Sequence, residues 1–277
     1  MVTVSSHSHA GDLRQAMPPT VSPAGPEHSA PARSRWPALD VARGAALVAM
    51  FVFHFMWDLS LFGLVHPDTP ALPGWVWFAR CLATSFLMLS GISLTFAAAN
   101  GLDRTKFAKR LGLLVAAAIA VTIGTRLGIG ENYVFFGILH HMAFASLAGL
   151  AFLRLASPLV VLAALACLAL PFIFTHYVFD HPALIWLGLY VSPPDTVDYV
   201  PVFPWFGWFL AGMLAGRWLV ANPGPFARWQ PSNRVHAWLA FGGRHSLAVY
   251  LLHQPVFFAL LFSFVTATGF FMRVGAP

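Results

Sequence analysis

The chain carries little charge and almost no cysteine. Only 9% of its 277 residues are Asp, Glu, Lys or Arg, whereas 58% are hydrophobic and the mean hydropathy is +0.71. In soluble domains about a quarter of the residues are charged, so this composition excludes that class and indicates an integral membrane protein. The two cysteines, Cys81 and Cys167, lie inside apolar runs. They therefore predict neither a disulfide framework nor a cysteine-bound metal.

Positive charge is missing from every second connector between the apolar runs. Residues 61–74, 129–133 and 177–200 contain no Lys or Arg, whereas the connectors between them do. Short cytoplasmic loops retain Lys and Arg, so this alternation predicts a cytoplasmic N-terminus. It also accounts for most of the net charge of +6, and we expect no nucleic-acid partner.

The apolar runs have the length of membrane-spanning helices. They predict helices near residues 38–60, 75–99, 107–128, 134–154, 158–176, 201–220 and 244–268. The expected fold is an all-α integral membrane protein, a bundle of about seven transmembrane helices, with eight as the alternative. The segment 181–191 is too short to cross and is predicted to be an interfacial or re-entrant piece packed on the bundle.

The two ends of the chain differ from the transmembrane domain, which is predicted at residues 36–270. Residues 1–35 are rich in Ser, Pro, Ala and His and contain no apolar signal-peptide core. They predict a disordered cytoplasmic tail. Residues 271–277 are expected to form a second, short tail.

One pair of ionisable residues lies inside the first predicted helix. The stretch FVFHFMWDL, residues 51–59, places His54 and Asp58 four residues apart on one helix face. A carboxylate in that position can orient the imidazole and raise its basicity. Ionisable groups are costly in lipid and usually face a cavity. The pair is therefore either functional or a structural contact with a neighbouring helix.

Further polar groups are predicted at the same outer level of the bundle. Arg80 begins the second helix, and His140 and His141 enter with the fourth, in FGILHHMAFASLAG. For each of these two histidines a structural hydrogen bond is the alternative to a functional role. His66 lies in the first outer loop, where an exposed histidine is most often incidental.

The last helix carries a polar stripe in GRHSLAVYLLHQPV. Ser246, Tyr250 and His253 recur at spacings of four and three residues and so share one face, with Gln254 beside it. Such a stripe must face the bundle interior. It either lines a path for a cofactor arm or forms a polar seam between helices.

Basic residues collect at the predicted cytoplasmic side. Asp40 and Arg43 in LDVARG stand three residues apart and are predicted to pair. Arg43 also belongs to a basic group that can hold the phosphates of an anionic cofactor, with anionic lipid as the alternative ligand. The group comprises Arg43, Arg104, Lys106, Arg110 and Arg244.

Five segments together resemble a known family. They are, in order, LDVARGAALVAMFVFHF, FLMLSGISL, FGILHHMAFASL, FPWFGWFLAGMLAGR and GRHSLAVYLLHQPV. Their order and spacing, from Leu39 to Pro255, resemble the bacterial relatives of the heparan-alpha-glucosaminide N-acetyltransferase catalytic domain. The resemblance implies a multi-span acyltransferase of the bacterial inner membrane. It would take acetyl from cytoplasmic acetyl-CoA and deliver it to an amine or hydroxyl of a sugar-like acceptor on the outer side, with no metal.

The resemblance also implies roles for individual residues. In the family's pattern a D-x-x-R-G opening is followed by an asparagine and then by a catalytic histidine in the first outer loop. That histidine position is His66 here, and the asparagine position holds His54. We therefore expect His66 or His54 as the base, with Asp58 orienting it, and Arg80 or His141 polarising the carbonyl. The expected cofactor-binding group is Asp40, Arg43, Tyr250, His253 and Arg244.

Two functions that involve no acyl transfer are alternatives to this expectation. In a transporter or flippase, His54, Asp58 and His253 would relay protons. The sequence has no clear internal repeat of the kind that many transporters show. In a membrane scaffold the histidines would be structural. The sequence leaves the acceptor and the oligomeric state, monomer or homodimer, open.

Overall fold

The computed structural model describes residues 1–3, 5 and 36–268, and nine α-helices lie within 36–268. They are α1 Pro37–Leu61, α2 Pro73–Ala99, α3 Arg104–Ile129, α4 Ile138–Phe152, α5 Ser157–Ile173, α6 Val202–Ala221, α7 Gly224–Arg228, α8 Arg234–Arg244 and α9 Ser246–Thr268. Over this part of the chain there is no β-strand. The predicted tails, 1–35 and 271–277, lie outside the described residues apart from 1–3 and 5.

The seven predicted helices correspond to α1 to α6 and α9. Among the described residues, four helices are long and apolar enough to cross a membrane, namely α1, α2, α3 and α9. The helices α4 and α5 are apolar but shorter, with 15 and 17 residues. The all-helical membrane fold is therefore confirmed. The number of spans and the side of the N-terminus stay predictions.

Local sequence accounts for where several helices begin. Proline stands in the first turn of α1, α2 and α5, where its missing N–H leaves no hydrogen bond unmade. Asp103 caps α3 by accepting hydrogen bonds from the N–H groups of Thr105 and Lys106, both at 3.1 Å. The side chain of Asn233 caps α8 through the N–H of His236 at 2.9 Å.

Helices α2 and α6 pack with their backbones in contact. A Cβ atom on Gly91 would lie 2.2 Å from the carbonyl oxygen of Phe209, and one on Gly212 would lie 2.3 Å from that of Met88. Only glycine permits this approach, which is typical of small-residue helix interfaces in membranes. The side chains of Phe209 and Met213 are fully buried beside the contact and belong to the largest core cluster.

Helix α8 was not predicted, and it lies antiparallel along the first turns of α1. Gly44 faces the carbonyl oxygen of Leu239, and Gly243 faces that of Asp40, so both contacts are backbone to backbone. As α1 runs from residue 40 to 44, its partner runs from 243 to 239. This packing brings the start of α9 beside the first turns of α1. It therefore determines which residues of α9 contact which residues of α1.

Two extended segments pair before α4 and α6. Phe136 and Tyr199 form an isolated parallel bridge, and the N–H of Val200 donates to the carbonyl of Phe136 at 3.0 Å. Residues 134–137 are thus held outside a helix, and α4 begins at Ile138, four residues later than the predicted start at 134. A pairing with residues more than sixty positions away leaves no local signal in the sequence.

The segment 181–191 packs on the bundle, as predicted. It contains a short 3₁₀ turn, Ile185–Leu187, in which Trp186 and Leu187 contact the largest core cluster. The Tyr199 hydroxyl donates to the carbonyl of Ile185 at 2.5 Å and ties the turn to the chain that enters α6.

Candidate functional site

A buried polar cluster joins α1 to α9. The carboxylate of Asp58 is fully buried and accepts a hydrogen bond from Gln254 Nε2 at 2.6 Å. One helical turn before Asp58 on α1, the ring of His54 meets the ring of His253 edge to face, with centroids 4.9 Å apart. The structure thus brings His54, Asp58 and His253 together, although the first two were predicted as the catalytic pair and the third as a cofactor contact.

The hydrogen bond of His253 decides which of its nitrogens is basic. Nδ1 contacts the carbonyl oxygen of Tyr250, which can only accept, so Nδ1 carries the proton. In the neutral imidazole Nε2 is then an unprotonated acceptor. This atom is buried and has no hydrogen-bond partner among the described residues. Phe51 stacks on the ring with centroids 5.5 Å apart, so His253 presents a lone pair in an apolar setting.

Two further acceptors of the cluster also lack partners. Asp58 Oδ2 and Gln254 Oε1 are buried without a hydrogen bond from any residue that the structure describes. Leaving a buried acceptor unpaired costs about 1 to 3 kcal/mol, so such groups normally meet a ligand or an ordered water. With the lone pair of His253, the cluster offers three acceptors to an O–H or N–H donor. Gln254 was not among the predicted site residues.

Two side chains beside the cluster, those of His54 and Tyr250, are only partly buried, whereas Asp58 and His253 are buried. His54 therefore keeps some accessible surface next to the two buried groups.

His141 is fully buried and, like His253, has a ring nitrogen without a partner among the described residues. Its Nδ1 donates to the carbonyl of Val200 at 3.1 Å, and its Nε2 has no partner among the described residues. In its neutral form His141 is therefore an acceptor at Nε2 and cannot donate to a carbonyl. Aromatic rings surround it, those of Phe136, Phe144 and Phe206.

His140 is satisfied at both nitrogens. Its Nδ1 accepts from the N–H of Gly137 at 3.3 Å, so in the neutral ring the proton is on Nε2. Nε2 lies 3.1 Å from the hydroxyl of Thr122, which in turn donates to the carbonyl of Val134 at 2.7 Å. This chain of hydrogen bonds ties α3 to the start of α4. A structural hydrogen-bonding role, the alternative to a functional one, therefore accounts for each contact of His140.

Asp198 caps α4 from the connector between α5 and α6, and sequence reasoning missed it. Its Oδ2 accepts from the N–H of Ile138 at 3.0 Å, and Gly137 leaves room because a Cβ there would lie 2.1 Å from that oxygen. Burial raises the pKa of Asp198, and the bond from Ile138 opposes the rise. Asp198 therefore links the connector between α5 and α6 to the start of α4.

His66 and Arg80 stay outside the cluster. The side chain of His66 is 77% exposed, and its Nδ1 accepts from the N–H of Asp68 at 3.3 Å. Arg80 is exposed, with its guanidinium 5.3 Å from the ring centre of Trp77. Within 36–268 neither side chain hydrogen-bonds to His54, Asp58 or His253.

The predicted pair at the start of α1 is confirmed. Arg43 donates to Asp40 at 2.8 Å and to the hydroxyl of Ser93 on α2 at 2.6 Å. Arg244 at the end of α8 is exposed. Across residues 36–268 no group of three His, Cys, Asp or Glu side chains has the arrangement of a metal site.

The sequence from residue 35 to 255 matches the family model described as heparan-alpha-glucosaminide N-acetyltransferase, catalytic. The chain belongs to this family. The match includes α1 with His54 and Asp58 and ends one residue beyond Gln254. No curated protein and no solved structure matches the chain. Membership in the heparan-alpha-glucosaminide N-acetyltransferase family identifies an N-acetyltransferase-type enzyme, and the apolar helices place it in a membrane.

Proposed function

We propose that the chain transfers an acetyl or similar short acyl group from cytoplasmic acetyl-CoA to an amine or hydroxyl of a sugar-like acceptor on the outer side of the bacterial inner membrane. Family membership supports the reaction type. The observation that carries the proposal is the polar cluster of His54, Asp58, His253 and Gln254 between α1 and α9, in which three buried acceptors lack a partner among the described residues.

Acyl transfer needs a base for the incoming nucleophile and a way to hold that nucleophile. In the proposed reaction the acceptor donates an O–H or N–H bond to the cluster, where Asp58 Oδ2 and Gln254 Oε1 are free to receive it. An imidazole takes the proton as the nucleophile attacks the thioester carbon. The new C–O or C–N bond forms, the C–S bond breaks, and the proton passes to the departing thiolate of CoA.

Three histidines compete for the role of base. His253 offers a lone pair of fixed orientation, and His54 lies against its ring. His66 holds the family's catalytic position in the exposed outer loop. His66 would act on the acceptor from this loop, whereas His54 and His253 would act from inside the bundle.

Polarisation of the thioester carbonyl needs a hydrogen-bond donor. Arg80 is always a donor, but it lies outside the cluster. His141 donates from Nε2 only as an imidazolium, because its Nδ1 proton is engaged by Val200. We therefore assign the polarising role to Arg80 or to protonated His141.

Radiolabelled acetyl-CoA tests the proposal on purified protein in lipid nanodiscs. With glucosamine as the acceptor, the wild type should release CoA and acetylate the amine. Loss of the base lowers the turnover rate by about 10²- to 10⁴-fold, so His54→Ala, His253→Ala and His66→Ala rank the candidates. The matched control is His236→Ala, a partly buried histidine of α8 that lies outside the cluster. The enzymatic function would be refuted if the purified protein neither binds CoA nor turns over the thioester, and if His54→Ala and His66→Ala behave as wild type in cells.

The same cluster supports a proton-coupled transporter as the second candidate. The rings of His54 and His253 meet, and Asp58 lies one helical turn from His54, so three ionisable side chains lie near one another at the interface of two helices, as in proton relays. Protein in liposomes that contain a pH-sensitive dye distinguishes the two functions. Proton flux without acetyl-CoA that disappears in Asp58→Asn would favour transport.

A further inference from the structure

A groove lined by two arginines lies between the start of α3 and the end of α4. Its volume is about 580 Å³. The two arginines are Arg104 and Arg154. Large apolar side chains form most of the remaining lining, those of Leu102, Phe107, Leu150 and Leu153. The groove thus combines apolar walls with two guanidinium groups that come from different helices.

Both arginines stand where an apolar helix meets its connector. Arg104 is the first residue of α3, and Arg154 lies two residues beyond the last residue of α4. The ends of apolar helices lie near the headgroups of a bilayer. The Lys and Arg residues at this end of the bundle predict that it faces the cytoplasm, and the cytoplasmic leaflet carries the anionic lipids.

The positive charge in the groove is not balanced by the part of the chain that the structure describes. Arg104 and Arg154 are both exposed, and neither makes an ion pair or a hydrogen bond with another residue of 36–268. The acidic residue beside Arg104, Asp103, caps α3 and pairs with Lys106 at 3.2 Å. The groove therefore attracts an anion.

Arg154 is also not needed to cap α4. Carbonyl groups at the end of a helix attract basic side chains. At the end of α4 this role belongs to Arg217 of α6, which donates to the carbonyls of Phe152 and Leu153 at 2.7 and 3.3 Å. The guanidinium of Arg154 is thus available to a ligand in the groove.

The apolar walls of the groove open onto the surface of the bundle. Phe107 and Leu150 are half-buried and pack on the largest core cluster. Ala151, which also lines the groove, is exposed. Leu147, one turn before it on the same face of α4, is 59% exposed. An apolar strip therefore leads from the groove along α4, on a surface that lipid chains cover in a membrane.

We infer that this groove binds an anionic phospholipid. Its phosphate contacts Arg104 and Arg154, because guanidinium groups bind phosphate through paired N–H donors. One acyl chain lies on Leu150 and continues past Leu147. A hydrated phosphate ion would use the two arginines and leave the apolar walls uncovered, whereas a phospholipid covers both parts of the groove. Basic pockets between membrane helices on the cytoplasmic side have the chemistry of such lipid sites.

Native mass spectrometry of the full chain, released from detergent, measures the affinity for single lipid molecules. Phosphatidylglycerol should bind the wild type more tightly than phosphatidylcholine with the same acyl chains. Replacing Arg104 and Arg154 together by Gln should weaken phosphatidylglycerol binding about 10- to 30-fold and leave phosphatidylcholine binding unchanged. The matched control replaces Lys109 and Arg228, two exposed cations that do not line the groove, by Gln. It has the same net charge and should bind like the wild type.

Two soluble phosphates, glycerol phosphate and coenzyme A, distinguish a lipid site from a site for a soluble ligand. Neither should displace phosphatidylglycerol from the wild type. If one of them does, and if its own binding depends on Arg104 and Arg154, the groove takes a soluble ligand and the lipid assignment is wrong. Equal phosphatidylglycerol affinities of the two double variants would also overturn it. Should the double variant not fold, Arg104→Gln and Arg154→Gln singly should each weaken binding about 3- to 5-fold.

Discussion

At the scale of single residues, the cluster between α1 and α9 combines one satisfied hydrogen bond with three unsatisfied acceptors. Gln254 donates through Nε2 to Oδ1 of Asp58, while Oδ2 of Asp58 and the single amide oxygen of Gln254 are free. The satisfied bond holds the two side chains in place, and the free atoms are available to a ligand. Stability and binding thus depend on different atoms of the same two residues, and substitution can separate them.

Gln254→Met should destabilise the protein, because it removes the amide group that donates a hydrogen bond to the buried carboxylate of Asp58. The loss in the free energy of unfolding should be about 1 to 3 kcal/mol. Thermal or denaturant-induced unfolding of the protein in detergent, monitored by circular dichroism, measures it.

A double-mutant cycle isolates this hydrogen bond. Replacing both partners by apolar side chains removes the unpaired group, so Asp58→Leu combined with Gln254→Met should cost less than the sum of the two single changes. The expected coupling is about 1 to 3 kcal/mol. Strictly additive changes would mean that the 2.6 Å contact does not bind the two side chains to each other.

At the scale of helices, the sequence predicted the helices that have long apolar runs and missed a helix whose position depends on packing. The bounds of α1, α2 and α9 fall within two residues of their predicted positions. Helix α8 has 11 residues and was not predicted, because it is too short to give a membrane-length run. Its place is set by backbone contacts at Gly44 and Gly243.

The candidate site was predictable only one helix at a time. The spacing of His54 and Asp58 indicated a shared face, and the stripe with Tyr250 and His253 indicated a second. That Gln254 would bind Asp58, 196 residues away, follows from how α9 lies against α1, which no local pattern records. The same holds for the pairing of Asp198 with the start of α4.

Gly44→Ala should destabilise the pairing of α1 with α8. The new Cβ would lie 2.0 Å from the carbonyl oxygen of Leu239, and a backbone atom cannot move aside as a flexible side chain can. We expect a loss of about 1 to 3 kcal/mol in the free energy of unfolding, seen as a lower melting temperature in detergent.

Gly112→Ala is the matched control in α3. A Cβ at Gly112 meets nothing within 4 Å, so the substitution should be neutral or stabilising by up to about 1 kcal/mol through helix propensity. If both variants melt at the wild-type temperature, α8 does not pack on α1 through Gly44.

At the scale of the whole molecule, the proposed reaction needs the two ends of the bundle on opposite sides of a membrane. The start of α1 must face the cytoplasm, where acyl-CoA is found, and the connector between α5 and α6 must lie outside. Asp195 is exposed in that connector, and Arg228 is exposed in α7, immediately after α6. With seven spans these two positions lie on opposite sides of the membrane, Asp195 outside and Arg228 inside.

Cysteine labelling in intact cells decides this arrangement. In a background with Cys81 and Cys167 replaced by serine, Asp195→Cys should react with a membrane-impermeant maleimide, and Arg228→Cys should react only after the membrane is permeabilised. The reverse pattern fits the eight-span alternative, in which segment 181–191 crosses and moves Asp195 to the inside. In that case α6 and α9 would be inverted relative to α1, so the inner end of α1 and the start of α9 could not lie side by side as Gly243 and Asp40 require. The backbone contact between those two residues therefore favours seven spans, and we expect Asp195→Cys to be labelled from outside.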